Sequence, residues 1–135
     1  LRAVMDLQGD LAAECAVAEF FESGAFGRHV RRMRRVYRAR RDVLVEALRN
    51  EFGDGLEFTV PLGGMALWVR AGSAVDVDAW AREALSLGVV IRSGRMYDFD
   101  GGSQSYLRLG FTCHNERELQ EAARRMATAK EHLGD

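Results

Sequence analysis

The sequence predicts an α/β domain of the α+β sandwich kind, a small mixed or antiparallel sheet of about four strands packed against helices. Three observations predict it. Segments with helical hydrophobic periodicity and short apolar or alternating runs follow in the order α, α, β, β, α, β, β, α. The chain has 135 residues, the size of one ordinary domain. Its 47% hydrophobic and 29% charged residues match a globular chain and carry no disorder signature.

Each element has its own signal. Residues 11–23 carry Leu11, Ala12, Cys15, Ala16, Ala18, Phe20 and Phe21, which reads as a short apolar helix stopped by Gly24. Gly24 and Gly27 punctuate the chain, and residues 28–50 follow as one long helix. Val30, Met33, Tyr37, Leu44 and Leu48 line its apolar stripe, widened by Val36, Val43 and Ala47. The opposite face holds Arg28, Arg31, Arg32, Arg34, Arg35, Arg38, Arg40, Arg41 and Arg49. Phe52-Gly53-Asp54-Gly55 reads as a loop.

Leu56, Phe58 and Val60 alternate with Glu57 and Thr59, as in a half-buried strand. Pro61-Leu62-Gly63-Gly64 makes a tight connection to a second strand, Met65 to Arg70, expected to be antiparallel to the first. A helix is predicted from Asp76 to Leu87, with Val77, Trp80, Ala81, Ala84, Leu85 and Leu87 inward, Asp76 as N-cap and Gly88 as terminator. Val89-Val90-Ile91 reads as a short buried strand, residues 93–105 as a loop, and Tyr106 to Phe111 as the last strand. Asn115 and Glu118 form a capping-box pattern that opens a final helix running to Leu133. Its inward positions are Leu119, Ala122, Ala123, Met126 and Leu133.

Charge and composition exclude several function classes. Net charge is −1, which gives no global pull toward nucleic acid or anionic membrane. No apolar run approaches the roughly 20 residues that span a bilayer, and residues 1–26 do not read as a signal peptide. Cys15 and Cys113 are too few and too far apart for a disulfide framework, so free thiols and a cytoplasmic location are expected. His29, His114 and His132 show no metal-ligand spacing and read as surface residues. The first residue is Leu, which suggests a fragment or a processed chain. The basic residues are arginines except Lys130, so any lysine chemistry must use Lys130 or go without.

Four stretches together resemble one family. His29-Val-Arg-Arg-Met-Arg-Arg-Val-Tyr-Arg-Ala-Arg-Arg-Asp-Val-Leu44 resembles the long interdomain helix of MocR-type (GntR-family) transcriptional regulators. Gly63-Gly-Met-Ala-Leu-Trp-Val-Arg70 resembles their glycine-pair strand. Gly88-Val-Val-Ile-Arg-Ser-Gly94 sits where that family has a strand and a short glycine loop, although Ser93 replaces a common proline and Arg95 a usually small residue. Tyr106-Leu-Arg-Leu-Gly-Phe111 resembles the strand that carries a carboxylate-binding arginine in fold-type I aminotransferases. The resemblance spans roughly residues 18–133, and the glycine-pair and Leu-Arg-Leu strands are shared with ordinary class I/II aminotransferases.

The resemblance implies the C-terminal small domain of a protein that binds pyridoxal 5′-phosphate (PLP). Residues 1–26 would then end a large PLP domain, and residues 27–135 would form the small domain. Apolar side chains along residues 11–26 would be left exposed without the large domain. The Schiff-base lysine would lie upstream of Leu1, so this chain alone should hold no cofactor and be inactive. Lys130 matches no catalytic position. The parent is expected to be a homodimer that binds an amino-acid or amine ligand, and to reach DNA only through a separate N-terminal domain. An ordinary aminotransferase is the alternative parent, so whether the parent is an enzyme stays open.

Arg108 is the candidate substrate-binding residue. Its guanidinium is a planar fork that pairs bidentately with a carboxylate, and on an otherwise apolar strand an arginine needs a partner. The other candidates have structural readings. The arginine face of the long helix reads as a solvated or interdomain surface rather than a nucleic-acid interface. Gly63-Gly64 reads as a tight turn that allows close backbone approach, and Trp68 and Trp80 as core residues.

Overall fold

The computed structural model describes residues 10–99 and 105–134. The first nine residues of the expected N-terminal segment and residues 100–104 of the expected loop lie outside these. The chain divides into two units, residues 1–36 and 37–135.

In the first unit, α1 spans Leu11–Glu22, and the Asp10 carboxylate caps it by accepting the Ala13 N–H at 3.1 Å. None of its residues is buried, and Leu11, Val17, Phe20 and Phe21 are exposed. Gly24, at φ 68°, breaks the helix. The break is confined to Ser23 and Gly24, so Gly27 does not punctuate the chain: the long helix α2 already begins at Ala25 and runs to Phe52.

The second unit holds the core. α2 contributes Leu44, Val45, Ala47 and Leu48 to it. A short 3-10 turn, Gly53–Gly55, leads into strand β1, Leu56–Glu57. Strand β2 is Ala66–Ala71, β3 is Arg92–Ser93 and β4 is Tyr106–Gly110. The sheet order is β1-β2-β4-β3 and every neighbouring pair is antiparallel. A mixed sheet would need a parallel pair, and none occurs among the described residues.

Two strands are displaced from their predicted places. In the first, only Leu56 and Glu57 pair with β2, while Phe58 and Val60 still pack against the core. The apolar run Val89–Ile91 is not the paired segment. Val89 and Ile91 point inward and Val90 outward, but the ladder to β4 is made by Arg92 and Ser93. Apolar composition reported burial there, whereas pairing depended on where the edge meets Leu107 and Arg108.

Helix α3 spans Val77–Ser86, capped by Asp76, whose carboxylate accepts the Asp78 and Ala79 N–H groups at 3.0 Å each. Val77, Trp80 and Ala84 share its buried face at i, i+3 and i+7. Leu85 falls off that stripe and is exposed, contrary to the inward role predicted for it. Gly88, at φ 80°, ends the helical region. Helix α4 spans Glu116–Glu131 and opens with the predicted capping box: Asn115 Oδ1 accepts the Glu118 N–H, and Glu118 Oε2 accepts the Asn115 N–H at 2.8 Å. Leu119, Ala123, Met126 and Ala129 are its buried residues. Leu133 lies past the helix end and is exposed rather than inward.

Packing follows the strand period of two. Leu67, Val69 and Ala71 of β2 and Leu107 and Leu109 of β4 are buried in one core with residues of α2, α3 and α4. Trp80 is completely buried, donates its Nε1–H to the Met126 carbonyl at 2.8 Å and meets Phe52 edge-on at 5.5 Å. Arg40 and Arg41 are not part of a solvated arginine face. Arg40 donates to the Thr112 carbonyl and Arg41 to the Pro61 carbonyl at 2.7 Å, pinning α2 to the segments after β4 and before β2. Among the described residues, no helix is long and apolar enough to cross a membrane.

One polar device ties α3 to α4. Glu121 accepts hydrogen bonds from Arg124 and Arg125, and Arg125 also donates to the Leu87 carbonyl at 3.1 Å. Those guanidinium hydrogen bonds lower the Glu121 carboxyl from its ordinary 4.5 to about 2. Its folded pKa is depressed, so its contribution is complete above pH 4.5 and fades as pH falls toward 2. Glu121→Gln is therefore expected to lower the urea midpoint slightly at neutral pH, leave it nearly unchanged near pH 2, and so flatten the acid limb between them, as urea unfolding at a series of pH values would record.

Candidate ligand-binding face

The second face of the sheet carries the polar chemistry. The alternation that buries Leu107 and Leu109 turns Tyr106 and Arg108 the other way, and the alternation in β2 does the same for Trp68 and Arg70. Register then sets the neighbours. Arg108 lies directly opposite Trp68 on one side and Arg92 on the other, and Tyr106 lies opposite Arg70.

Trp68 is 42% exposed, so it is not the core residue predicted from its apolar strand. Its ring stacks on Tyr106 at 5.6 Å and 15°, and meets Tyr97 edge-on at 5.7 Å. These three rings form an aromatic wall beside Arg108. Arg70 is spent on Glu57, at 3.2 Å. Arg108 is half-buried, and among the described residues it has no carboxylate or carbonyl partner. The planar fork of a guanidinium has the geometry to pair bidentately with a carboxylate.

The remaining candidates lie elsewhere. His114 faces Glu118 at 3.6 Å and His132 faces Glu83 at 2.8 Å, while His29 meets the Phe20 ring edge-on. Gly64 has φ 99°, which explains a glycine there. Close backbone approach does not: a Cβ on Gly63 or Gly64 would meet no atom within 4 Å. A groove of about 400 Å³ is lined by Leu44, Val89, Ile91, Leu109, Leu119 and Ala122 among others, but neither Arg108, Arg92 nor Trp68 borders it. It belongs to the core side of the sheet, not to the charged face.

Lys130 decides what the chain can do with a cofactor. Its ammonium lies 5.6 Å from the Phe52 ring centre and 5.8 Å from that of Trp80, in the helical layer. The chain's one lysine is thus held by the rings of the core and is not among the residues of the Arg108 face. Among the described residues, none on that face offers the amine that would anchor PLP. Among the described residues that face carries arginines, the Trp68, Tyr97 and Tyr106 rings and the Glu57 carboxylate, and no lysine.

The model of the family described as aminotransferase class I and II matches residues 5–126. The chain belongs to that family. It is 27% identical over 130 residues to aromatic-amino-acid aminotransferase 1 of Thermococcus litoralis, covering 96% of this chain and 31% of that protein. It is also 28% identical over 104 residues to the HTH-type transcriptional regulator YdfD of Bacillus subtilis, covering 77% of this chain and 21% of that one. Among solved structures, the α-aminoadipate aminotransferase LysN of Thermus thermophilus, complexed with N-(5′-phosphopyridoxyl)-L-leucine, superposes with a TM-score of 0.80 at 29% identity. That match covers 87% of this chain and 30% of LysN. The four-stranded antiparallel sheet with its helices is the small-domain fold of class I/II aminotransferases. The chain spans about a third or less of the length of these relatives.

Sequence reasoning found Arg108 through the Leu-Arg-Leu strand, and the structure sets it on the polar face. Arg92, Tyr97 and Tyr106 were not singled out. The period of two put Tyr106 beside Arg108 in sequence already, but Arg92 became a neighbour only through strand pairing.

Proposed function

We propose that this chain is the C-terminal domain of a PLP-dependent polypeptide and that Arg108 binds the α-carboxylate of its amino-acid ligand. The observation that carries the reading is the half-buried Arg108, without a carboxylate partner among the described residues, set between Trp68 and Arg92 on the polar sheet face. Bound PLP would supply the electron sink for amino-acid chemistry, and its anchoring belongs to the rest of the polypeptide. This domain would orient the ligand, and a ligand held by both domains would favour their closed arrangement.

Two parents fit that role. A MocR-type regulator is favoured by the long arginine-rich helix and by relatives such as YdfD. An aminotransferase is favoured by enzyme relatives such as aromatic-amino-acid aminotransferase 1 and by the likeness to LysN. Steady-state release of a 2-oxo acid by the full-length polypeptide would assign the enzyme, and ligand-dependent retention of a DNA duplex without turnover the regulator.

The shared reading is tested by PLP titration of the 135-residue chain beside the full-length polypeptide, followed by the visible absorbance of bound cofactor. A band in the full-length protein and none in the isolated chain is expected. A band in the isolated chain that Lys130→Ala abolishes would overturn the assignment of the cofactor site to the rest of the polypeptide.

A further inference from the structure

The net charge averages over a segregated distribution. No Asp or Glu lies between Glu22 and Asp42, and eight arginines fall in that interval. Five of them, Arg28, Arg31, Arg32, Arg34 and Arg35, are exposed on the first part of α2. Arg28, Arg31 and Arg35 follow at i, i+3 and i+7 and stand in one row, with Arg32 and Arg34 on its flanks. Like charges at such spacings repel and weaken a helix, as in the i,i+4 pairs Arg28–Arg32 and Arg31–Arg35. Among the described residues none of the five has a carboxylate partner, although Arg41, Arg70, Arg95, Arg124 and Arg125 each have one. Arg28 reaches only the Ser23 carbonyl, at 3.3 Å.

The spacing of these charges selects their partner. Five arginines from Arg28 to Arg35 lie along about 10 Å of helix axis, roughly one charge per 2 Å. Duplex DNA carries one negative charge per about 1.7 Å of its axis, whereas a single strand carries one per about 3.4 Å. A guanidinium fork pairs with phosphate as it does with carboxylate. A folded acidic surface would have to hold carboxylates at that density against their own repulsion. A bilayer surface fits less well for another reason. An interfacial helix sets apolar side chains into the lipid beside its cations, and the arginine row has none among its members.

We propose that this arginine row is a docking surface for the phosphate backbone of duplex nucleic acid, held without regard to base sequence. Arginine–phosphate contacts of this kind fix where a duplex lies and carry no base information. The inference is independent of the reading of Arg108, and the binding needs neither PLP nor an amino-acid ligand.

The test is the fluorescence anisotropy of a labelled, random-sequence DNA duplex titrated with the 135-residue chain and with the full-length polypeptide at a series of salt concentrations. For the 135-residue chain, five phosphate contacts predict a slope of log affinity against log salt between about −4 and −5, so a fourfold rise in salt costs several-hundredfold in affinity. The double variant Arg31→Gln, Arg35→Gln should make that slope shallower by about two in both proteins, since each lost contact removes about one. Glutamine is as good a helix former as arginine, so the circular dichroism should not change. Arg82→Gln with Arg117→Gln removes the same charge from exposed positions of α3 and α4 and should leave the slope as it was. No binding by the 135-residue chain, or the same loss of slope in both double variants, overturns the row as the binding surface. Tighter binding of a single strand than of the duplex overturns the choice of partner. A slope that changes in the 135-residue chain but not in the full-length polypeptide gives the row to an acidic surface of the same polypeptide. Stronger retention on phosphatidylserine vesicles than on the duplex gives it to a membrane, and either result overturns the proposal.

Discussion

Trp80→Ala is expected to destabilise the domain by about 3–5 kcal/mol, a large share of the roughly 5–15 kcal/mol that holds a domain of this size folded. The side chain is completely buried, so its removal leaves a cavity among residues of α3, α4 and the end of α2. The indole N–H bond to the Met126 carbonyl goes with it, as does the edge contact with Phe52. Lys130 also loses one of the two rings that face its ammonium. Trp80→Phe keeps most of the volume and loses the hydrogen bond, so it should cost less than half as much. Urea unfolding followed by circular dichroism gives both values. A loss under 1 kcal/mol for Trp80→Ala would mean that this ring does not organise the core.

Arg108→Gln has the opposite signature. Glutamine keeps the polar end and much of the stem but removes the charge and the fork. Removal also ends the cross-strand repulsion with Arg92, so the domain should keep its stability or gain a few tenths of a kcal/mol. Ligand binding should suffer. Hydrogen bonds to charged groups contribute about 1.5–3 kcal/mol, which corresponds to a loss of roughly 10- to 100-fold in affinity for a carboxylate ligand. Arg108→Lys should recover only part of it, because an ammonium is a point charge without the planar fork. Isothermal titration of the full-length protein measures all three.

How much of this was legible in the sequence depends on which forces set each feature. Local chemistry was readable: the Asp76 cap, the Asn115–Glu118 capping box and the left-handed Gly24 and Gly88 are all fixed within a few residues of chain. Element order followed from hydrophobic period. Exact pairing did not, since β3 takes its place from where it meets β4 rather than from its own apolar run. Trp68 was misread for a related reason. An apolar residue in a strand signals burial, yet the neighbours Leu67 and Val69 already occupied the core face, and Trp68 was left to build the aromatic wall. Arg40 and Arg41 looked like members of one charged stripe until two distant carbonyls came within reach. At the site, Arg108 was found by resemblance, while Arg92 could emerge only from the fold.

One paired measurement tests the role of Arg108 most directly: the affinity of the PLP-loaded full-length protein for glutaramate and the urea midpoint of the protein, each for wild type and Arg108→Gln. The prediction is a loss of about 10-fold or more in affinity with the midpoint unchanged or slightly raised. Unchanged affinity together with a lowered midpoint would make Arg108 a structural residue of the sheet and would contradict its role as the ligand's carboxylate receptor.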